Sequence, residues 1–125
     1  MAPMGIKVLV VDDAPFIREV LAQMLTSAGM SVVGEATDGK YAVKMAQESD
    51  PDLILMDLVM PRMSGIEATQ EILKMRPEQK IIACSTLDQQ TLVMRAIDAG
   101  CIHYINKPFK KEELLRVIET AMEKK

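Results

Sequence analysis

The 125-residue chain has few of the residues that build metal or redox centres from sulfur and imidazole. It contains two cysteines, Cys84 and Cys101, which lie in apolar segments without C-x-x-C spacing, and a single histidine, His103. A Cys/His zinc site needs three or four such ligands at close spacing, so this class of site is excluded. We expect both cysteines to be buried and reduced.

An excess of positive charge and long apolar runs are also missing. The chain has 15 Lys and Arg against 18 Asp and Glu, a formal net charge of −3, and so lacks the basic surface that autonomous nucleic-acid binding requires. Its apolar runs have the length of strands, and residues 1–5 do not show the charged-then-apolar layout of a signal peptide. We therefore expect no nucleic-acid partner, no membrane insertion and a cytoplasmic location.

Hydrophobic residues make up 49% of the chain, enough to bury a core in one domain. Five short apolar runs alternate with segments of helical periodicity, which is typical of strands buried in a parallel sheet. Parallel neighbours need right-handed helical crossovers, so the alternation predicts an α/β, doubly wound fold in one domain, 1–125, without a linker. The predicted strands are Ile6–Val11, Val32–Ala36, Leu53–Asp57, Lys80–Ser85 and Ile102–Ile105.

Local signals mark the helices between these strands. Pro15 suits the first position of a helix, Asp38 is a plausible N-cap, and Ser64-x-x-Glu67 is a capping box. The fourth helix is expected from about Asp88 to Ala99, with Gly100 closing it.

Polar side chains stand where the predicted strands end. An isolated aspartate at such a position is more often a helix or turn cap than a functional group. The carboxyl ends of parallel strands, however, meet at one edge of the sheet, where α/β proteins bind their ligands. The coincidence of several such groups therefore predicts a site made of Asp12, Asp13, Asp57, Ser85 and Lys107.

The residue types at this edge indicate phosphoryl chemistry. Crowded carboxylates repel one another, and a bound Mg²⁺ with its preference for oxygen ligands relieves that repulsion. Aspartate can accept a phosphoryl group covalently, while Lys107 and Ser85 could neutralise and position the transferred oxygens. The sequence has neither a GxxxxGK[ST] motif nor a GxGxxG motif after the first strand. The expected donor is therefore a small acyl or amido phosphate or a phosphorylated protein.

Together these motifs resemble the receiver domain of bacterial two-component response regulators over the whole chain, and most of all the single-domain, CheY-like receivers of chemotaxis systems. The resemblance implies a flavodoxin-like (βα)5 fold with strand order 2-1-3-4-5, a monomer, and no output domain. The motifs that carry it are Asp12-Asp13, Asp57 with Met60-Pro61 and Gly65, Ser85, and Lys107-Pro108-Phe109.

The resemblance also implies roles at the acidic end of the sheet. Asp57 would accept a phosphoryl group from the phosphohistidine of a histidine kinase. Asp13 would bind Mg²⁺ together with Asp57 and the main-chain carbonyl of Val59, and Asp12 would act mostly through water on the metal. Val59 and Leu87 are apolar at positions that would flank the water attacking the phosphorylated form.

Other implied roles concern switching. Ser85 and Lys107 would hold the phosphoryl oxygens, and Tyr104 would turn inward when Ser85 moves. Lys107-Pro108 is expected to be a cis peptide, which only an X-Pro bond accepts cheaply. Thr86 departs from the commonest pattern, in which alanine follows the hydroxyl residue, and could narrow access to Asp57.

A face for protein partners completes the resemblance. On the fourth helix Met94 lies outside the inward apolar stripe, and the family places this helix, the fifth strand and the last helix in a face whose shape depends on phosphorylation. The residues concerned are Met94, Tyr104, Lys110 and Lys111. The partners implied are a histidine kinase, a downstream target such as the flagellar motor, and a phosphatase.

Two other functions fit parts of the pattern. A phosphorelay receiver would pass its phosphoryl group to a second histidine protein, and the sequence barely distinguishes it from a chemotaxis regulator. An aspartate-nucleophile phosphohydrolase of the haloacid dehalogenase type would need a second acid two residues after Asp57, where this chain has Val59.

Overall fold

A computed structural model describes residues 5–124, and within them five parallel strands form one sheet in the order β2-β1-β3-β4-β5. This confirms the flavodoxin-like α/β fold. The elements are β1 (Lys7–Val11), α1 (Pro15–Ser27), β2 (Ser31–Ala36), α2 (Gly39–Ser49), β3 (Leu53–Asp57), α3 (Gly65–Met75), β4 (Lys80–Thr86), α4 (Gln90–Ala99), β5 (His103–Lys107) and α5 (Lys111–Glu123).

The sheet separates two hydrophobic cores because alternate side chains of each strand point to opposite faces. Leu9, Ile54 and Ile81 face the core that contains residues of α2, α3 and α4. Val10 and Leu55 face the core that contains residues of α1 and α5. Strand β3 lies in the middle of the sheet and is buried along its whole length, so the position of its last residue, Asp57, is firmly fixed.

The helix caps predicted from the sequence are present. The Asp38 carboxylate accepts the Tyr41 N–H at 2.8 Å. Ser64 and Glu67 form a reciprocal capping box at the start of α3, with both hydrogen bonds at 3.2 Å. These caps satisfy backbone donors that a helix start otherwise leaves unpaired.

Two boundaries lie two residues from the prediction, and several others lie one residue from it. Helix α4 begins at Gln90 rather than near Asp88, because a 3-10 turn, Leu87–Gln89, comes first and the Gln89 side chain accepts the Thr86 N–H at 2.9 Å. Strand β5 runs on to Lys107, since its last residues stay paired with β4. Lys107 is therefore held by the sheet itself.

The expectations that both cysteines are buried and that Met94 lies outside the inward face of α4 are confirmed. Cys84 and Cys101 are buried free thiols, and burial raises their pKa values to about 12 and about 11. Met94 is 71% exposed on α4. In the part of the chain that the structure describes, no helix has the length and apolar character needed to cross a membrane.

Candidate functional site

The ends of β1, β3 and β5 bring the predicted polar residues to one edge of the sheet. Strands β1 and β3 are paired up to Val11 and Met56, so Asp12 and Asp57 follow side by side. Gly65, the first residue of α3, lies directly against the Asp57 backbone, and a Cβ there would overlap the Asp57 carbonyl oxygen. Glycine is thus required for α3 to begin this close to the site.

The three aspartates form one cluster. Carboxylate oxygens of Asp12, Asp13 and Asp57 all lie within 4.8 Å of one another. Asp12 and Asp57 are buried, whereas Asp13 is exposed, so the cluster opens to solvent on one side. This all-oxygen donor set with an open side fits Mg²⁺, which binds few carboxylates and keeps several waters.

Lys107 supplies positive charge next to these acids. Its Nζ lies 2.6 Å from Asp12 Oδ2 and 3.3 Å from Asp57 Oδ1. Burial opposes the charged form of Lys107, but the hydrogen bond to Asp12 and the charge of Asp57 outweigh it and raise its pKa. Lys107 is therefore a cation at neutral pH.

The surroundings of Asp57 raise the pKa of its carboxyl group. Burial raises the pKa of its carboxyl to about 6, and the charge of Asp12 adds to this rise. Lys107 and the Val59 amide work in the opposite direction without cancelling it. A cation bound between the carboxylates would favour the ionised form, which is the form that can act as a nucleophile.

Arg18 is a residue of this region that sequence reasoning missed. Its Nη1 donates to the Asp12 main-chain carbonyl at 2.8 Å, and its Nε donates to Glu35 on β2 at 3.0 Å. The Ala14 N–H also donates to Asp12 Oδ1, at 2.9 Å. Arg18 lies in the first turn of α1, and no motif in the chain marks it.

Ser85 lies at the same edge but is fully buried, and its hydroxyl donates to the side-chain oxygen of Asn106 at 3.4 Å. Asn106 is a second residue that the sequence did not identify. Tyr104, on the same strand as Asn106, is 44% exposed. The Lys107-Pro108 peptide is cis, as predicted.

Of the residues predicted for a partner face, Met94, Tyr104 and Lys110 are exposed and Lys111 is half-buried. Met94 and Tyr104 line a groove between α4 and β5, together with Val93 and Ile97. Lys110 is exposed just before α5, and Lys111 is the first residue of that helix. These residues lie apart from the aspartate cluster.

Comparison with known proteins agrees with this geometry. The chain matches the family described as the response regulator receiver domain over residues 8–119. It belongs to that family, whose members are signalling domains of two-component systems. The family match favours a receiver over the hydrolase alternative.

Individual relatives include CheY proteins and receiver domains of larger proteins. The chain is 46% identical to the chemotaxis protein CheY of Thermotoga maritima over 92% of this chain and 96% of the relative. CheY in the CheX-CheY-BeF3-Mg complex from Borrelia burgdorferi is 28% identical with a TM-score of 0.91, over 97% of this chain and 92% of the other. The receiver domain of the Pseudomonas aeruginosa sensor histidine kinase PA1611, solved with magnesium in its active-site cleft, is 34% identical with a TM-score of 0.87, over 96% and 99%.

Proposed function

We propose that the chain is a phosphorylation-activated, single-domain response regulator in which Asp57 accepts a phosphoryl group from the phosphohistidine of a histidine kinase. The observation that carries this proposal is the placement of Asp57 at the end of the central strand, beside two further carboxylates and 3.3 Å from Lys107. A buried carboxylate with a cation beside it and an open side towards solvent suits in-line attack on phosphorus.

The transfer exchanges one bond for another. A carboxylate oxygen of Asp57 attacks phosphorus, the P–N bond to the histidine ring breaks, and the imidazole leaves and takes up a proton. Lys107 stabilises negative charge on the phosphoryl oxygens as they approach, and Ser85 donates a hydrogen bond once its hydroxyl leaves Asn106.

Mg²⁺ is the proposed cofactor. Asp13, Asp57 and the main-chain carbonyl of Val59 would hold it, with Asp12 acting mostly through water. When bound, the metal neutralises charge on the carboxylates and the phosphoryl group. The short Lys107–Asp12 contact supports the secondary role of Asp12, because this carboxylate already has a cation partner.

Phosphorylation would then switch the partner face. The added phosphoryl charge of roughly −1.5 to −2 draws Ser85 and Lys107 towards Asp57, and the space vacated by Ser85 accepts the Tyr104 ring. A target that prefers one arrangement of Met94, Tyr104, Lys110 and Lys111 would shift the equilibrium towards it by its differential affinity.

A cytoplasmic chemotaxis-type system is the biological setting that we favour, with the flagellar motor as the type of target and a phosphatase resetting the signal. The similarity to CheY of Thermotoga maritima and to CheY bound to CheX supports this setting. A phosphorelay role is the second candidate, supported by the likeness to the receiver of a sensor histidine kinase.

The decisive experiment is incubation with acetyl phosphate and Mg²⁺ followed by intact-protein mass spectrometry. The parent chain and a control, Asp98→Asn on the exposed surface of α4, should each gain one phosphoryl group, whereas Asp57→Asn should gain none. Labelling of Asp57→Asn at the parental rate would show that another residue is the acceptor.

A further inference from the structure

A second charged surface lies beside the aspartate cluster. Lys40 and Lys44 on α2, and Arg62 on the loop from β3 to α3, surround one depression, which Thr37, Asp38 and Tyr41 also line. We call Lys40, Lys44 and Arg62 the basic cluster. Three cations against the single carboxylate of Asp38 make this region positive in a chain whose net charge is −3.

The backbone of Arg62 shows that this position is constrained. Its φ of 68° lies in the left-handed region, which is unfavourable for a residue with a side chain. An ion pair between Arg62 Nη1 and Asp38 Oδ2, at 2.8 Å, holds the side chain in place. Its side chain is nevertheless 74% exposed, so most of its five N–H donors remain accessible to a partner.

The helix that carries the two lysines is tied to the loop that carries Arg62. The Gly39 N–H donates to the Met63 carbonyl at 3.0 Å, which ties the start of α2 to the loop that carries Arg62. A Cβ on Gly39 would collide with the Met63 backbone. Lys44 Nζ lies 6.0 Å from the centre of the Tyr41 ring, within the range of a cation–π contact. The backbone segments that carry the basic cluster are therefore fixed relative to each other before any partner binds.

Its location connects it with phosphoryl transfer. Asp57 is the last residue of β3, and Arg62 lies on the loop that leaves this strand at the carboxyl edge of the sheet. A donor protein carrying a phosphoryl group approaches an edge where three carboxylates face one lysine, so its own negative charge is repelled. A fixed positive surface beside that edge compensates for the repulsion and raises the rate of encounter.

We propose that the basic cluster is an electrostatic docking surface for an acidic segment of the protein that phosphorylates Asp57. This inference rests on the proposed function and adds where the donor binds and what charge it presents there. A protein segment fits better than a nucleic acid, because the cluster spans one depression and the chain as a whole is negative. Carboxylates of the donor would pair with the lysines and with the free N–H groups of Arg62.

The test compares two phosphoryl donors on the same variants. The variants are Lys40→Glu/Lys44→Glu and, as a matched control, Lys74→Glu, a charge reversal of an exposed lysine on α3. The donors are acetyl phosphate and a purified, phosphorylated histidine kinase, chosen from a panel as the one that labels the parent chain fastest. Initial rates of labelling are measured at low and at high ionic strength.

We expect the double variant to lose about 10-fold or more of the kinase-dependent rate at low ionic strength, and to lose most of the salt dependence that the parent shows. Its rate with acetyl phosphate should stay within about two-fold of the parent, as should both rates of Lys74→Glu.

An unchanged kinase-dependent rate would overturn the docking surface, and so would an equal loss with both donors. If acetyl phosphate labels Asp57 while no kinase does, the acceptor role survives and the docking surface fails. If Asp57→Asn is labelled at the parental rate, Asp57 is not the acceptor, and the proposed function is wrong whatever the result for the docking surface.

Discussion

The Lys107 ammonium pairs more closely with Asp12, at 2.6 Å, than with Asp57, at 3.3 Å. The buried carboxylate of Asp12 therefore receives most of the compensating charge, and Asp57 receives less. This division explains why burial can raise the pKa of Asp57 to about 6 although a lysine stands beside it. It also leaves Asp57 as the carboxylate that gains most from a bound cation.

The raised pKa of Asp57 predicts a pH-dependent stability in the absence of metal. Between the ordinary value of 3.8 and about 6, the folded chain binds more protons than the unfolded chain. Protonated Asp57 therefore stabilises the fold fully below about pH 4, and this contribution is lost as the pH rises through about 6.

Asp57→Asn lacks this titration. In a chelating buffer, its free energy of unfolding relative to the parent should rise by about 2 kcal/mol from pH 4 to pH 7 and then stay level, as measured by urea unfolding. Asp98→Asn, which removes an exposed carboxylate from α4, is the control. A flat difference for Asp57→Asn would contradict the raised pKa.

Much of the site could be predicted because it depends on short segments of chain. The fully apolar run of β3 and the polar residue at its end determine where Asp57 lies, and parallel pairing brings Asp12 beside it. The contacts of Arg18 and Asn106 could not be predicted in this way. They depend on which side chains meet across separate elements, and no period or capping signal specifies such pairs. The left-handed backbone conformation of Arg62 could not be predicted either, because arginine is not a residue type that favours positive φ.

Mg²⁺ should stabilise the chain through the aspartate cluster. Binding relieves repulsion between carboxylates within 4.8 Å of one another, and at tenfold excess over Kd it should add about 1.4 kcal/mol to the free energy of unfolding. Thermal melting with and without Mg²⁺ measures this effect, and EDTA should reverse it. Asp13→Asn should show a much smaller shift, whereas Asp52→Asn on the opposite edge should behave like the parent. Equal shifts in melting temperature for all of these chains would exclude the aspartate cluster as the Mg²⁺ site.

The lifetime of the phosphorylated state should depend on Val59. Val59 is 51% exposed and Leu87 is 65% exposed, and neither can orient an attacking water by hydrogen bonding. Val59→Asn adds a polar group at this position and should speed dephosphorylation about five-fold, the equivalent of one hydrogen bond of about 1 kcal/mol. Loss of phosphoryl mass over time, after removal of the donor, measures the rate. Val59→Ala separates this effect from a loss of apolar bulk and should stay near the parent. A rate for Val59→Asn at or below that of the parent would rule out the role of Val59.

The groove between α4 and β5 should carry target binding without affecting the chemistry at Asp57. Met94 is 71% exposed and Tyr104 is 44% exposed, and together they line this apolar groove. Such side chains often act as the anchors of an interface. Met94→Lys and Tyr104→Ala should each weaken binding of a protein captured by the phosphorylated parent by about tenfold, or about 1.4 kcal/mol.

Both groove variants should still accept a phosphoryl group from acetyl phosphate at close to the parental rate, since neither touches the aspartate cluster. Met75→Lys is the matched control, because it places the same charge on an exposed methionine of α3. It should bind the target like the parent chain. Isothermal titration with the captured protein, alongside mass spectrometry of the same samples, separates the two effects. Parental affinity in both groove variants would move the search for the target surface to the exposed Phe16 on α1, which is 72% accessible and lies at the aspartate edge of the sheet.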